Sequence, residues 1–225
     1  MRDDVLDHHP HGTISMHDGL VQSCNAYFAQ LAMKVGPEAL LDAAATLGIS
    51  VTPGGSVERL RSTLPQAGYG QGDVVATPLR MARVAAALAN GGVLTEPHIE
   101  LLDEAAVKGA APSGAARRGA VKRERLLSPA SAATLGRYMR DGVLEGTGRV
   151  LRNHPLRIAG KTGTAEVTGE ASHSWFVGFA PYDAPAASRR IAFAVIVENA
   201  GYGGAAAASV AGDLVSAAGA AGLVK

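Results

Sequence analysis

Apolar residues recur at helical spacing through the first two thirds of the chain and gather into strand-like runs only near its end. Ser15, with Asp18 three residues on, has the form of a capping box and predicts a short helix reaching Gln22. Tyr27, Phe28, Leu31 and Val35 predict a second helix over 26–35. Gly36-Pro37 stops it and starts a third, which ends at Gly48. Residues 49–76, rich in Gly and Pro, read as a long loop over a cleft. Thr77-Pro78 opens a helix that Asn90-Gly91-Gly92 closes, and Val93 to Leu102 reads as a short strand. Ser128-Pro129 opens another helix, ending near Gly146. Three strands follow at 156–167, 173–180 and 191–198, then an Ala-rich helix over about 205–218. Helices first and an antiparallel meander afterwards, without βα alternation, predict an α+β fold: an antiparallel sheet flanked by helices, plus a helical part. The expected organisation is one domain over 1–225, with the helical part at about 13–148 and the C-terminal strands and helix at about 155–220.

The run Ile191 to Val197 is apolar at every position, so both of its faces are expected to be buried. As the last strand of a three-strand meander it would also form an edge, and an apolar edge invites unwanted pairing. Further strands from an N-terminal part not present in the sequence resolve the conflict, and the domain is therefore expected to be incomplete at its N-terminus.

Composition narrows the chemistry. Hydrophobic residues make up 47% of the 225 but aromatics only 4%, so the core packs small side chains closely. A net charge of +1 gives no reason to expect nucleic acid as a partner. The single cysteine, Cys24, excludes an internal disulfide and a multi-thiolate metal site. Met1-Arg2-Asp3-Asp4 does not open a signal peptide, and no apolar run is long enough to span a membrane. From 103 to 125 the composition turns to Ala, Gly, Arg and Lys, an exposed excursion whose basic end, Arg117 to Arg125, reads as a solvated face.

Two short stretches carry candidate chemistry. Ser23-Cys24-Asn25 lies at the mouth of a helix. Residues two apart on a helix point about 200° away from each other, so Ser23 and Asn25 can serve one cleft only from a turn, with Cys24 directed into the core. A hydroxyl there can relay a proton, and the amide can donate to and accept from a peptide group. The plainer alternative is that Ser23 or Asn25 simply caps the next helix. Lys161-Thr162-Gly163-Thr164 sits inside a strand. Lys161 and Gly163 share one face, where the glycine leaves room for another element and the lysine supplies positive charge. Alternation puts the Thr164 hydroxyl on the opposite face. Gly160-Lys161-Thr162 also looks like the end of a phosphate loop, but Pro155 stands where that loop needs glycine and strand follows instead of helix. His8, His9, His11 and His17 match no metal-binding spacing, so neither metal nor cofactor is expected. Glu166 reads as a surface residue.

In this order the two stretches resemble the second and third motifs of the penicillin-binding protein transpeptidase domain, a member of the acyl-serine transferase, serine β-lactamase-like superfamily. His11 to Ser15 leading into Gln22 to Phe28 is similar to that family's approach to its second motif. Gly70-Gln71-Gly72, Thr77-Pro78-Leu79 and Ala89 to Gly92 resemble the following segment, and Gly160 to Glu166 with Trp175 to Pro181 resemble the third motif and the next strand. The likeness covers nearly all of 8–215. The family's first motif, Ser-x-x-Lys, is missing: no serine of this sequence has lysine three residues on.

The resemblance implies a penicillin-binding D,D-transpeptidase of peptidoglycan cross-linking. Its substrate is a stem peptide ending in D-Ala-D-Ala, and β-lactams are trapped as acyl-enzymes. It implies catalytic roles for Ser23 (proton relay), Asn25 (substrate amide) and Lys161 (charge), with Thr162, Gly163 and Thr164 binding substrate. The Thr164 N–H is implied in the oxyanion hole. It further implies a parent protein anchored in the cell membrane, facing outward, in a cell-wall synthesis complex. As written, the chain is expected to be a fragment and inactive. The alternatives are a serine β-lactamase or β-lactam sensor relative, and a non-catalytic peptidoglycan-binding module.

Overall fold

The computed structural model describes residues 11–97, 122–185 and 188–224. The predicted capping box is formed. The Asp18 N–H donates to the Ser15 hydroxyl at 3.3 Å and the Ser15 N–H to the Asp18 carboxylate at 3.2 Å, opening α1 (Met16–Val21). After a three-residue corner comes α2 (Asn25–Val35). Gly36 ends it, and Pro37 at the first helical position opens α3 (Pro37–Leu47).

The predicted loop at 49–76 contains a helix, α4 (Val57–Gly68). Ser56 caps it, its hydroxyl accepting from the Arg59 N–H at 3.3 Å. Leu60, Leu64 and Ala67, spaced four and three apart, are buried against Ala32, Ala44 and Val51. Pro65 and the flanking glycines mask that pattern in the sequence, but Pro65 sits in the last turns and removes only one helical hydrogen bond.

Thr77 caps α5 (Pro78–Ala89), and β1 (Val93–Thr95) follows. The predicted strand continues to 102, and its part beyond 97 lies outside the described residues, as do 103–121 of the basic excursion and His8 and His9. The end of the excursion is not loop: β2 (Arg123–Arg125), exposed throughout, pairs antiparallel with β1. Ser128 caps α6 (Pro129–Leu144) as its Ser-Pro start predicts.

The C-terminal sheet has the order β3 (Ala159–Ala165), β4 (His173–Ala180), β5 (Ile191–Val197), antiparallel throughout. Alternation sorts its side chains. Phe176, Ala180 and Phe193 face α7 (Ala206–Ala220), whose Ala207, Ala208, Ala211 and Val215 are fully buried. Four such small residues let helix and sheet approach closely, which is how an aromatic-poor chain builds a dense core. On the other face Ala159 and Phe179 meet Met139 of α6 and Leu88 of α5. Helices therefore pack on both faces of β5, but only Phe193 is buried and the other positions expected to be buried are partly exposed. Among the described residues no strand pairs with its outer edge.

Candidate active site

The corner between α1 and α2 is built by backbone geometry that few residues tolerate. Ser23 has φ of +59°, in the left-handed region, at a cost of about 1–2 kcal/mol for a residue with a Cβ. Its N–H donates to the Leu20 carbonyl at 3.3 Å, and the Cys24 N–H to the Gly19 carbonyl at 2.9 Å. The cap of α2 is neither Ser23 nor Asn25 but Cys24: its buried Sγ accepts from the Tyr27 N–H at 3.3 Å. Ser23 and Asn25 are thereby released from capping and stand on either side of it. The Asn25 side chain, partly exposed at the first turn of α2, makes no hydrogen bond to another described residue.

Lys161 of β3 reaches this corner. Its Nζ donates to Ser23 Oγ at 2.7 Å, across 138 residues of sequence, and to its neighbour's carbonyl, Thr162 O, at 2.9 Å. Among the described residues it has no carboxylate partner. Burial without a counter-charge disfavours the ammonium form and pulls its pKa down from 10.5 to about 8. A lysine in that range, bonded to a hydroxyl, can hold or give up a proton near neutrality.

The two threonines of the motif turn away from Lys161. Thr162 is buried, its hydroxyl 2.6 Å from that of Thr147, on the chain leaving α6. The Thr164 hydroxyl accepts from the Gly203 N–H at 3.2 Å. Gly203 lies so close to Gly163 that a Cβ there would collide with the Gly163 carbonyl. The hydroxyls of Thr162 and Thr164 are thus engaged by other parts of the protein, on the face opposite Lys161 as strict alternation dictates. What Thr162 and Thr164 present to the open side of β3 is main chain.

Two contacts were not foreseen from sequence. Gln71, on the loop between α4 and α5, donates from Nε2 to the Thr164 carbonyl at 2.9 Å. His17 of α1 sits between two carboxylates, Nε2 3.0 Å from Asp141 of α6 and Nδ1 3.2 Å from Asp18, with its ring edge-on to Tyr138. Both carboxylates stabilise the imidazolium by hydrogen bonding, Asp18 most, and raise its pKa above 6.5. The far end of α1 is tied to the same helix exit, the Thr147 N–H donating to the Val21 carbonyl at 3.4 Å. The end of α6 therefore braces both the Ser23 corner, through α1, and β3, through Thr147 and Thr162. Nothing but distance in sequence hides these contacts: Asp141 lies 124 residues from His17, and Thr164 lies 93 from Gln71. Among the described residues no group of three His, Cys, Asp or Glu side chains is placed to hold a metal, and no helix is long and apolar enough to cross a membrane.

The architecture is that of D,D-transpeptidase domains. The solved D,D-transpeptidase domain of a peptidoglycan glycosyltransferase from Eggerthella lenta superposes with a TM-score of 0.76 at 26% identity, over 96% of this chain and 56% of that one. The imipenem acyl-enzyme complex of penicillin-binding protein A from Mycobacterium tuberculosis gives 0.69 at 28% identity, over 92% and 47%. The chain belongs to the penicillin binding protein transpeptidase domain family, whose family model matches residues 3–216. It is 32% identical over 227 residues to the peptidoglycan D,D-transpeptidase PbpA of M. tuberculosis, an alignment that covers 92% of this chain and 44% of that protein. The chain thus spans less than half the length of this relative.

Proposed function

We propose that these residues form two walls of the acyl-transfer pocket of a peptidoglycan D,D-transpeptidase, one that accepts a stem peptide ending in D-Ala-D-Ala and is acylated by β-lactams. The contact between Lys161 Nζ and Ser23 Oγ carries the reading, because it joins the two motifs through atoms able to move a proton. A serine nucleophile brought to this pocket attacks the penultimate D-Ala carbonyl, and as the C–O bond forms its proton enters the relay of Ser23 and Lys161. Ser23, hydrogen-bonded to Lys161, relays a proton to the departing amine of the terminal D-Ala, and an acceptor amine then takes the acyl group. Asn25, whose amide bonds no other described residue, holds the substrate's peptide group. Thr162 and Thr164 bind the substrate through main chain, Gly163 between them leaves the strand face bare so that substrate and nucleophile can approach closely, and the Thr164 N–H on the open side of β3 supports the oxyanion.

No serine in the 225 residues stands three before a lysine. The proposal therefore assigns the nucleophile to a part of the working enzyme outside this sequence, with the whole held at the outer face of the cell membrane, and it expects the chain alone to be silent toward penicillin. Labelling with a fluorescent penicillin tests this. The 225-residue chain should give no adduct that survives boiling, whereas a protein carrying these residues together with a Ser-x-x-Lys should give one. An adduct on the chain alone contradicts the assignment. The same missing motif favours a second reading, a non-catalytic peptidoglycan-binding module; failure of the serine-bearing protein to label supports it.

A further inference from the structure

Among the described residues, β3 has β4 on one side and no strand on the other. In an antiparallel ladder alternate residues send both main-chain groups to the same side. The bond from Gln71 shows that Thr164 faces outward, and the bond from Lys161 shows the same for Thr162. An open edge of this kind is a template for an added strand. Here the Thr162 and Thr164 carbonyls are already occupied by side-chain donors of the protein itself.

The two donors differ. Lys161 reaches a carbonyl on its own strand and also holds Ser23. Gln71 comes from a separate element, the loop Gly70-Gln71-Gly72 between α4 and α5. The flanking glycines have φ of +83° and +74°, which turns the chain sharply on both sides of the glutamine. The loop does not depend on the bond to Thr164. Its own main chain is pinned by the Gln71 N–H on the Gln66 carbonyl at 3.0 Å and the Gly70 N–H on the Ala67 carbonyl at 3.2 Å, and α4 is anchored by Leu60, Leu64 and Ala67. The side chain is therefore spare to the loop's own fold, and its amide bonds a carbonyl that a strand-like ligand needs. A neutral hydrogen bond of this type weighs about two- to tenfold in an equilibrium, enough to bias the edge and little enough to be displaced.

We infer that Gln71 is a displaceable cap on β3, holding the Thr164 carbonyl until the main-chain N–H of an extended peptide takes its place. The inference rests on the peptide-binding reading above and adds a specificity element to it. A ligand must offer a main-chain N–H at the Thr164 position to repay the lost Gln71 bond, so ligands without that group bind against the cap. Strand addition that also displaces Lys161 from Thr162 leaves Ser23 as the acceptor for its Nζ.

The test is binding of a diacetylated L-Lys-D-Ala-D-Ala peptide to the 225-residue chain, followed by backbone and side-chain amide NMR. In the wild-type protein the Gln71 side-chain amide and the Thr164 N–H should both shift on saturation. Gln71→Ala removes the competitor and should bind the peptide about two- to tenfold more tightly, with the Thr164 shift retained. Gln71→Asn, too short to reach but conservative for folding, should change affinity in the same direction. Unchanged or weaker binding by the variants overturns the inference and makes Gln71 a support for β3. The absence of any shift along β3 overturns it as well. Penicillin labelling of the serine-bearing protein reports separately on the acyl-transfer reading, so the two failures can be told apart.

Discussion

A lysine that loses water without gaining a carboxylate holds its proton weakly, and Lys161 is in that position. Folding lowers its pKa from 10.5 to about 8, so between those values the unfolded chain binds more protons than the folded one. The group's contribution to stability therefore rises with pH across that window. Below about 8 the full cost of burying the charge is present. Lys161→Met should make the protein more stable at pH 7 by at most about 3 kcal/mol, less to the extent that water reaches the partly exposed side chain. The advantage should shrink toward pH 10.5, as urea unfolding of the two proteins at several pH values would show. Ser23 stores strain in the same pocket. Replacing it with glycine removes the Cβ from a left-handed backbone, and Ser23→Gly should be neutral to about 1 kcal/mol stabilising in the same assay while penicillin labelling of the serine-bearing protein falls.

At the level of elements, α1 is short and owes its place to His17, the bridge between its own Asp18 and Asp141 of α6. Only the imidazolium can donate to both carboxylates at once. Because the folded pKa is raised, this clamp contributes fully below about pH 6.5, the value for an unfolded histidine. It is lost as pH rises through the higher folded value. His17→Gln should flatten the pH dependence of stability on the alkaline side of 6.5. An NMR titration should find His17 protonating at higher pH than an exposed histidine. Most elements were legible where the chain carries caps and stops: Ser15, Gly36-Pro37, Thr77-Pro78 and Ser128-Pro129 mark their helices as predicted. α4 was hidden because Pro65 and its flanking glycines outweigh a correct apolar spacing. The placement of the threonine hydroxyls was legible from alternation, which opposes them to Lys161. His17 and Gln71 carried no signal, since their partners are set by how distant elements pack.

Across the whole molecule, the helical cluster around Leu60 and the two sheet clusters around Phe176 and Phe179 make separate cores. The end of α6 touches what matters between them: α1 through His17 and Val21, β3 through Thr147. Phe176 is fully buried and its ring lies against Gly160, directly behind the strand that presents Lys161. Phe176→Ala should cost about 3–5 kcal/mol in denaturant unfolding. It should also let the Lys161 pKa drift back toward 10.5 as the strand loosens. The apolar run of β5 packs against helices on both of its faces, with Phe193 buried and its other residues partly exposed. Its outer edge carries no pairing among the described residues.

Everything proposed for this pocket depends on a lysine from the sheet and a serine from the helical corner sharing one hydrogen bond. The most direct measurement is the proton titration of the Lys161 amine, followed by its Cε and Nζ resonances in the wild-type chain and in Ser23→Ala. A midpoint near 8, displaced further downward when the Ser23 acceptor is removed, is the predicted result. A midpoint with the solvated lysines near 10.5, unmoved by Ser23→Ala, would contradict it.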